Sequence, residues 1–413
     1  MLKKWIVGLK FPSEKKLFLW NMIGSTIYAL ASMILTYLTI RLIGDSKGGV
    51  FAIALTLAQM FIYIAYYEMR NFQVTDNENK YIFAEYHGVK IINCILMLVV
   101  SVGYVWFKQY DKYKAGIIIL VCVYRMLDGY ADVYEAEFHH KGRLDLAGKS
   151  MAFRTVLSVG TYFIILVFCG NLWYALTGAI IAAILGILIF DIWVFDTVGN
   201  ITVQYRKKAV EGIIKDCFPL FLGMFLWTYL LSASRIAVDN VLSSEYQAYY
   251  QVLFLPVSVI NLLAGFLIRP SLITLTELYA DKKKINFWKI IAKMTGILAI
   301  FTIVCMVGAY ICGIQVLSLI INSDLSKYRM MFMFLIFAGG FNAIAYLLYF
   351  VLTIFRNQKA IVMGYGAASV VALIISTNMV KTWGLWGASW SYLLSICVLI
   401  TVFVGCIIYE EKK

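Results

Sequence analysis

The stretch 115–143, AGIIILVCVYRMLDGYADVYEAEFHHKGR, decides the fold of this chain. It begins with an apolar run typical of a membrane helix and continues with Arg125 and four carboxylates. Successive residues of an α-helix turn by about 100°, so the polar side chains that share an arc of about 80° are Arg125, Asp128, Asp132, Glu135 and His139. The sequence therefore predicts a membrane-spanning helix with a single polar face.

The composition of the whole chain is that of a membrane protein. Hydrophobic residues make up 62% of the 413 residues, charged residues make up 14%, and the mean hydropathy is +0.82. A soluble protein of this length could not cover so much apolar surface with polar groups, so we expect a polytopic membrane protein. The N-terminus is basic and has no small-residue cleavage site, which favours a mature cytoplasmic end over a signal peptide.

Twelve segments are apolar over about 20 residues, the length that crosses a bilayer as an α-helix. They are 17–40, 48–67, 89–107, 115–138, 150–169, 172–194, 213–233, 249–268, 290–311, 330–350, 360–376 and 385–408. Most of the 36 Lys and Arg residues lie in or beside segments that are cytoplasmic if the N-terminus is cytoplasmic. Both termini are therefore expected inside the cell. This placement explains the net charge of +13 as membrane topology, and nothing in the sequence supports nucleic-acid binding.

The spans divide into two sets of six, 1–205 and 206–413, and a short pattern occurs in both. The first span ends with Arg41, three residues and Asp45, and the seventh ends with Arg235, three residues and Asp239. The same residues at the outer ends of two corresponding spans are typical of transporters built from two pseudo-symmetric bundles. The pattern is short enough for chance to produce it, so both interpretations stay open.

The polar face of 115–138 also has two interpretations. A charge at the bilayer centre costs roughly 2.5–3.5 kcal/mol, so the face must meet protein or water. The charges could pair with one another, Arg125 with Asp128 and the lower carboxylates with Arg154 or Lys149. Alternatively, they line a hydrated cavity in which Arg125 binds an anion. We favour the cavity because ionisable residues inside a membrane mark transport pathways.

Three other arginines are candidates for the same anion site, and no motif points to catalysis. Arg154 lies just inside the cytoplasmic end of the fifth span, while Arg41 and Arg235 lie at outer ends, against the positive-inside bias. The eight cysteines are mostly within apolar runs, and the chain has no CxxC, GxSxG, P-loop or HExxH motif. We therefore expect no enzyme activity, no metal and no resident cofactor.

Three stretches carry a resemblance to a known family. They are WNMIGSTIYALASMILTYLTIRLIG (20–44), FPLFLGMFLWTYLLSASRIAVDNVL (218–242) and YYQVLFLPVSVINLLAGFLIRPSLITLTELY (249–279). With the twelve spans, they make the chain similar to the Wzx-type polysaccharide flippases, which belong to the multidrug/oligosaccharidyl-lipid/polysaccharide exporter superfamily. The similarity covers essentially the whole chain and rests on the overall pattern, not on one diagnostic motif.

The resemblance implies an all-α polytopic membrane protein of about twelve transmembrane helices, arranged as two pseudo-symmetric six-helix bundles around a central cavity. It implies that an undecaprenyl-pyrophosphate-linked oligosaccharide is flipped across the bacterial cytoplasmic membrane, from the inner to the outer leaflet, by alternating access. The residues expected to contact the pyrophosphate are Arg41, Arg125, Arg154 and Arg235. Asp128 and Asp132 would bind a coupling ion, Na⁺ or H⁺. Membrane lipids and the polymerase and glycosyltransferases of the same pathway are the expected partners.

Two other functions stay open at this stage. A drug/cation antiporter of the same superfamily would need an acidic cavity, and Arg125 and the outer arginines count against it. A polytopic glycosyltransferase or polymerase usually has a large outer loop or an acidic pair in the first outer loop. Here the outer loops are short, and the first contains only Asp45 as an acidic residue.

Overall fold

The computed structural model describes residues 2–8, 11–76, 80–199 and 206–412, and these residues form helices without a strand. The α-helices are, in chain order, α1 (Leu2–Val7), α2 (Glu14–Ile43), α3 (Asp45–Tyr66), α4 (Met69–Thr75), α5 (Phe83–Lys108), α6 (Lys112–His140), α7 (Leu144–Cys169), α8 (Leu172–Gly186), α9 (Trp193–Phe195), α10 (Lys207–Val241), α11 (Ser244–Ala280), α12 (Lys284–Gly308), α13 (Ile314–Ile321), α14 (Arg329–Ile354) and α15 (Gln358–Glu411). Two π-helical turns, Ile187–Ile192 and Ala309–Gly313, continue α8 and α12, and a 3₁₀ turn, Ser326–Tyr328, precedes α14. The predicted all-α membrane fold is confirmed.

Ten helical stretches of the described chain are long and apolar enough to cross a membrane, and the difference from twelve has two causes. The helix α6 is long enough but carries the charges of the opening stretch, which lower its apolar character. The last two predicted spans are counted once because they lie on α15, which is continuous except at Gly384. Each predicted span lies on a helical stretch, although several stretches are longer than predicted: α11 continues to Ala280, whereas the predicted span ends at residue 268.

The helix α15 is in fact a hairpin of two helices that meet at Gly384. This residue has φ 57° and ψ −135°, in the left-handed half of backbone space that glycine enters without a Cβ clash. A Cβ on Gly387 would lie 1.9 Å from the carbonyl oxygen of Met379, so the chain folds back on itself here. At the far end the Asn357 amide donates to the Glu410 carboxylate at 3.0 Å. The two halves of α15 therefore run antiparallel.

The chain divides into two compact units, Met1–Phe225 (the first unit) and Leu226–Lys413 (the second unit). The division falls inside α10, whose beginning packs in the first unit and whose end belongs to the second. The boundary between the two bundles that is predicted from the sequence lies between residues 205 and 206. Residue 205 belongs to the segment 200–205, which lies outside the described residues.

Close helix contacts at glycines shape the first unit. A Cβ on Gly24 of α2 would lie 2.3 Å from the carbonyl oxygen of Gly148 of α7, so the two backbones touch. Small residues at such a crossing allow membrane helices to pack closely. Gly129 of α6 packs in the same way against the Cβ of Ala65 on α3, a helix whose side chains are mostly buried. This second contact brings α6 and its polar face against α3.

Candidate functional site

The polar face of α6 is buried inside the first unit. Arg125, Asp128, Asp132 and Glu135 are 7%, 7%, 6% and 3% exposed. An ionised group this deeply buried must be paired or hydrogen-bonded, because burial removes its hydration. The geometry of these four side chains shows which groups replace water.

Arg125 pairs with Asp128, the partner that its spacing along the helix predicts. Its Nη1 lies 2.9 Å from the Asp128 carboxylate, one turn along α6. The ring of Tyr28 on α2 lies 5.0 Å from the guanidinium carbon, at cation–π distance. The Nε of Arg125 makes no hydrogen bond within the described structure. One face of the guanidinium is thus held by Asp128, and Nε remains open to a further acceptor.

Arg154 of α7 is enclosed by carboxylates and is only 2% exposed. Its guanidinium lies 2.9 Å from Glu135, 3.1 Å from Asp191 and 3.5 Å from Asp128. Asp191 lies in the π-helical turn after α8 and also accepts a hydrogen bond from the Ser150 hydroxyl. One cation therefore ties three elements of the first unit together.

Asp132 is held by two cations from outside α6. Lys90 of α5 approaches it to 2.9 Å, and Arg70 of α4 approaches it to 3.2 Å while also reaching Glu135 at 3.0 Å. Lys90 donates in addition to the carbonyl oxygens at the end of α3, those of residues 65 and 66, at 3.2 Å each. The last carbonyls of a helix have no partner within it and attract cations, so the end of α3 helps to fix this ammonium.

The side chains just described form one charged network that is balanced in sign. Its cations are Arg70, Lys90, Arg125 and Arg154, and its carboxylates are Asp128, Asp132, Glu135 and Asp191. Each carboxylate lies within 3.5 Å of a cation. The network combines the two sequence interpretations, since the charges of α6 are paired and they also border a cavity.

That cavity has a volume of about 270 Å³ and is open on one side. The residues that line it are Tyr28, Tyr63, Tyr66, Glu68, Arg70, Asn71, Asp128, Asp132, Glu135, Met151 and Arg154. The hydroxyl groups of Tyr28 and Tyr66 are 2.9 Å apart. One wall is thus aromatic and the other is charged, a combination that suits a ligand with both apolar faces and polar edges.

Three members of the network were missed by the sequence analysis. Lys149 was expected to be a partner of the α6 carboxylates, but it pairs with Asp145 at 3.2 Å. The actual partners Lys90 and Asp191 lie within predicted spans, where an ionisable residue is a signal of function and could have been noted. Arg70 lies in a connecting segment, and the sequence gives no indication that it folds back onto α6.

Arg235 of the second unit is buried without a carboxylate. It is 8% exposed, and the acceptors of its guanidinium in the described structure are neutral: Gln251 at 3.4 Å, Ser232 at 3.4 Å and the carbonyl oxygen of residue 231 at 3.3 Å. The ring of Phe254 lies 5.0 Å away. These hydrogen bonds are long for a charged donor, so the guanidinium is weakly compensated.

A further buried polar group near Arg235 also lacks a hydrogen-bond partner. The Tyr392 ring packs against Phe254 at 4.9 Å, and the Tyr250 ring packs against it at 6.0 Å. The Tyr392 hydroxyl has no hydrogen-bond partner in the described structure. The Tyr250 hydroxyl, in contrast, faces the hydroxyls of Ser234 and Ser389. A buried polar group left unpaired costs about 1–3 kcal/mol, so this cluster is expensive to form.

Arg41 lies apart from the network. It is exposed in the last turn of α2, 13 residues after Tyr28, which corresponds to about 20 Å along the helix axis. The chain then breaks at Gly44, with φ 84°, and Asp45 begins α3. Arg235 and Asp239, in contrast, lie on the single helix α10. The short repeat in the sequence therefore adopts two different local structures.

Among the predicted site residues, Arg125, Asp128, Asp132 and Arg154 come together in the first unit. Arg235 lies in the second unit, and Arg41 is exposed at a helix end. Within the described residues, no group of three or more His, Cys, Asp or Glu side chains is placed to hold a metal ion.

Comparison with known proteins extends over nearly the whole chain. No family model matches the sequence. The capsular polysaccharide biosynthesis protein CapF of Staphylococcus aureus is 24% identical over 411 residues, which cover 95% of this chain and 98% of that protein.

Two solved structures have a similar fold. One is an inward-facing multidrug resistance MATE family transporter of the MOP superfamily, with a TM-score of 0.69, 10% identity, and coverage of 95% of this chain and 98% of that one. The other is the lipid II flippase MurJ in an inward closed conformation, with a TM-score of 0.70, 12% identity, and coverage of 94% and 87%. The resemblance predicted from the sequence is therefore confirmed, and this multi-pass membrane protein has the fold of the MOP superfamily, the multidrug/oligosaccharidyl-lipid/polysaccharide exporters.

Proposed function

We propose that this chain flips an undecaprenyl-pyrophosphate-linked oligosaccharide from the inner to the outer leaflet of the bacterial cytoplasmic membrane, by alternating access, for the synthesis of a surface polysaccharide. The observation that carries the proposal is the similarity, from end to end, to a capsular polysaccharide biosynthesis protein. The fold supports it, because a lipid II flippase has the same fold. Both chain ends are proposed to be cytoplasmic, as the placement of Lys and Arg indicates.

The pyrophosphate is the part of this substrate that a membrane opposes most strongly, and arginine is the side chain best suited to it. A guanidinium donates two parallel hydrogen bonds to phosphate oxygens and keeps its charge in an apolar environment. Arg235 has no carboxylate in the described structure, so its charge is available to such an anion. Arg125, whose Nε makes no hydrogen bond, and the exposed Arg41 are proposed as further contacts.

Arg154 has a different proposed role because it is already compensated. A phosphate would have to displace Glu135, Asp191 or Asp128 from it. We infer that Arg154 contacts substrate only when a carboxylate of the network is neutralised. A proton or Na⁺ on Asp128 or Asp132 would release a cation from its partner. In this way the network would couple the ion to the movement of the substrate.

The aromatic wall of the cavity suits the sugar part of the substrate. Tyr28, Tyr63 and Tyr66 line the space beside Asp128 and Asp132. Aromatic rings pack on the apolar faces of sugars, while carboxylates accept hydrogen bonds from hydroxyl groups. The cavity is smaller than a whole oligosaccharide, so we propose that it holds one sugar at a time.

One alternative has an observation in its favour. A multidrug resistance MATE transporter has a similar fold, and the charged network of the first unit contains four buried carboxylates. A cationic drug would need an excess of negative charge, yet each network carboxylate already has a cation within 3.5 Å. Increased drug susceptibility of a deletion strain, with normal surface polysaccharide, would support the antiporter instead.

A transport assay tests the proposed function directly. The full chain is reconstituted in vesicles with a lipid-linked oligosaccharide that carries a fluorophore on its sugar, and an impermeant quencher is added outside. If the chain is a flippase, the inner pool of fluorescence becomes accessible faster than in protein-free vesicles. A fluorophore-labelled phosphatidylethanolamine, which lacks pyrophosphate and sugar, is the control. Equal rates with and without the protein would contradict the proposal, and elongation of the oligosaccharide would indicate a polymerase.

A further inference from the structure

The first unit has a second cavity that the proposed transport path does not use. It lies between the beginnings of α2 and α7 and has a volume of about 840 Å³, larger than the cavity at the charged network. Its lining from these two helices includes Lys16, Leu19, Trp20, Ile23, Lys149 and Phe153. We call it the α2–α7 groove.

The α2–α7 groove exists because the two helices touch just beyond it and carry large side chains before that point. They meet at Gly24 and Gly148, where no side chain separates the backbones. On α2, Lys16, Trp20 and Ile23 follow at helical spacing, so they share one face. A cationic side chain at the start of the helix is thus followed by apolar side chains one to two turns later.

Charge at the mouth of the groove is positive. Asp145, which is 1% exposed, is held by Arg143 at 2.9 Å and by Lys149 at 3.2 Å, so this cluster carries one positive charge in excess. Lys149 also donates to a backbone carbonyl of α1 and lies over the Trp20 ring at 5.5 Å. Lys16 adds a second positive charge, since within the described residues no carboxylate pairs with it.

The apolar part of the groove is open to the surroundings. Leu19 is 47% exposed, and Ile23 and Phe153 are partly exposed. The distance along α2 from Lys16 to Ile23 is about 10 Å. A positive end followed over this distance by an apolar strip matches a phospholipid, in which a short glycerol unit joins the phosphate to the acyl chains. Anionic headgroups are concentrated in the cytoplasmic leaflet, the side on which the Lys and Arg bias places the beginnings of α2 and α7.

We propose that the α2–α7 groove binds an anionic phospholipid of the bilayer, with the phosphate at Lys16 and Lys149 and an acyl chain along Leu19, Ile23 and Phe153. This bound lipid would fasten the start of α2 to α7 and to the N-terminal helix α1. The inference does not rest on the proposed transport function, since it uses only the charge and shape of this groove.

Trp20 allows the proposal to be tested by fluorescence on the purified full chain. Phosphatidylglycerol with brominated acyl chains is added in detergent, and brominated phosphatidylcholine is added in a parallel titration. The quenching that is lost in Trp20→Phe measures lipid beside Trp20. We expect phosphatidylglycerol to quench this component at a lower concentration than phosphatidylcholine. Lys16→Gln should raise the half-quenching concentration of phosphatidylglycerol about fivefold, as expected for one lysine beside an anionic headgroup.

Lys15→Gln is the matched control, because Lys15 is an exposed neighbour that does not line the groove. It should leave the titration unchanged. Both lysines are exposed, so thermal unfolding should be the same in the two variants without added lipid. The proposal is overturned if the two lipids quench equally, if Lys16→Gln titrates like the unmodified chain, or if Trp20→Phe loses no quenching.

Discussion

The two units bury an arginine in opposite ways. In the first unit, Arg154 is 2% exposed and lies within 3.5 Å of three carboxylates. In the second unit, Arg235 is 8% exposed and has neutral neighbours in the described structure. Burial costs each guanidinium its hydration, but only Arg154 recovers that cost through ion pairs. The difference separates an arginine whose charge is compensated within its own unit from one whose charge has only neutral acceptors.

A neutral network and a lone cation also respond differently to change. Removing one member of the network leaves opposite charges buried without compensation. Removing Arg235 leaves no opposite charge behind, because nothing of opposite sign is paired with it. Mutations in the network should therefore reduce stability, whereas mutation of Arg235 should leave stability largely unchanged and reduce transport.

Arg154→Met should have the largest effect on stability. It leaves Asp191 buried without its cation and leaves Glu135 with Arg70 alone, so we expect a loss of about 3–5 kcal/mol of unfolding free energy. Thermal unfolding of the purified chain in detergent measures the change. Adding Asp191→Asn to this variant removes the charge that has lost its cation and should restore part of the loss. An unfolding temperature equal to that of the unmodified chain would show that the network does not stabilise the first unit.

Arg125→Gln should have an intermediate effect. Asp128 keeps Arg154 at 3.5 Å, and a glutamine amide still donates a hydrogen bond to it. We expect a loss of about 1–3 kcal/mol, the cost of a partly compensated buried group. The same unfolding assay measures it, with Lys15→Gln as a surface control. A loss as large as that of Arg154→Met would mean that Arg125, and not Arg154, is the central cation of the network.

Arg235→Met should have the smallest effect on stability. The substitution replaces an unpaired buried charge with an apolar side chain of similar length, so the unfolding free energy should stay the same or rise slightly. A loss comparable to that of Arg154→Met would contradict the comparison between the units. It would show that the neutral neighbours of Arg235 compensate its charge fully.

Much of the fold was predictable because membrane helices follow simple rules of length and polarity. The spans were recognised from apolar length alone, including α6, whose charges share one face. The Arg125–Asp128 pair was also within reach, because residues three apart on a helix are neighbours. The hairpin at Gly384 agrees with the two separate spans predicted there, although Gly384 is the one residue of α15 with a non-helical backbone conformation.

The rest depended on contacts between helices that are distant in sequence. Lys90 reaches Asp132 because the end of α3 offers carbonyl oxygens at the right place, which no local pattern indicates. Arg235 is isolated because its hydrogen-bond acceptors in the described structure are neutral and none is a carboxylate. A sequence shows where carboxylates occur, but it does not show which arginine they fail to reach. Arg41 and Arg235 illustrate the same limit, since both precede an aspartate by four residues but lie in different local structures.

Transport by the Arg235→Met variant tests the central claim most directly. The variant and the unmodified chain are reconstituted in vesicles with the fluorophore-labelled lipid-linked oligosaccharide, and Arg356→Gln, from a connecting segment, is the control. If Arg235 is the cation that receives the pyrophosphate, its variant remains folded while the rate of flipping falls to that of protein-free vesicles. A normal rate of flipping in the folded Arg235→Met variant would contradict the claim.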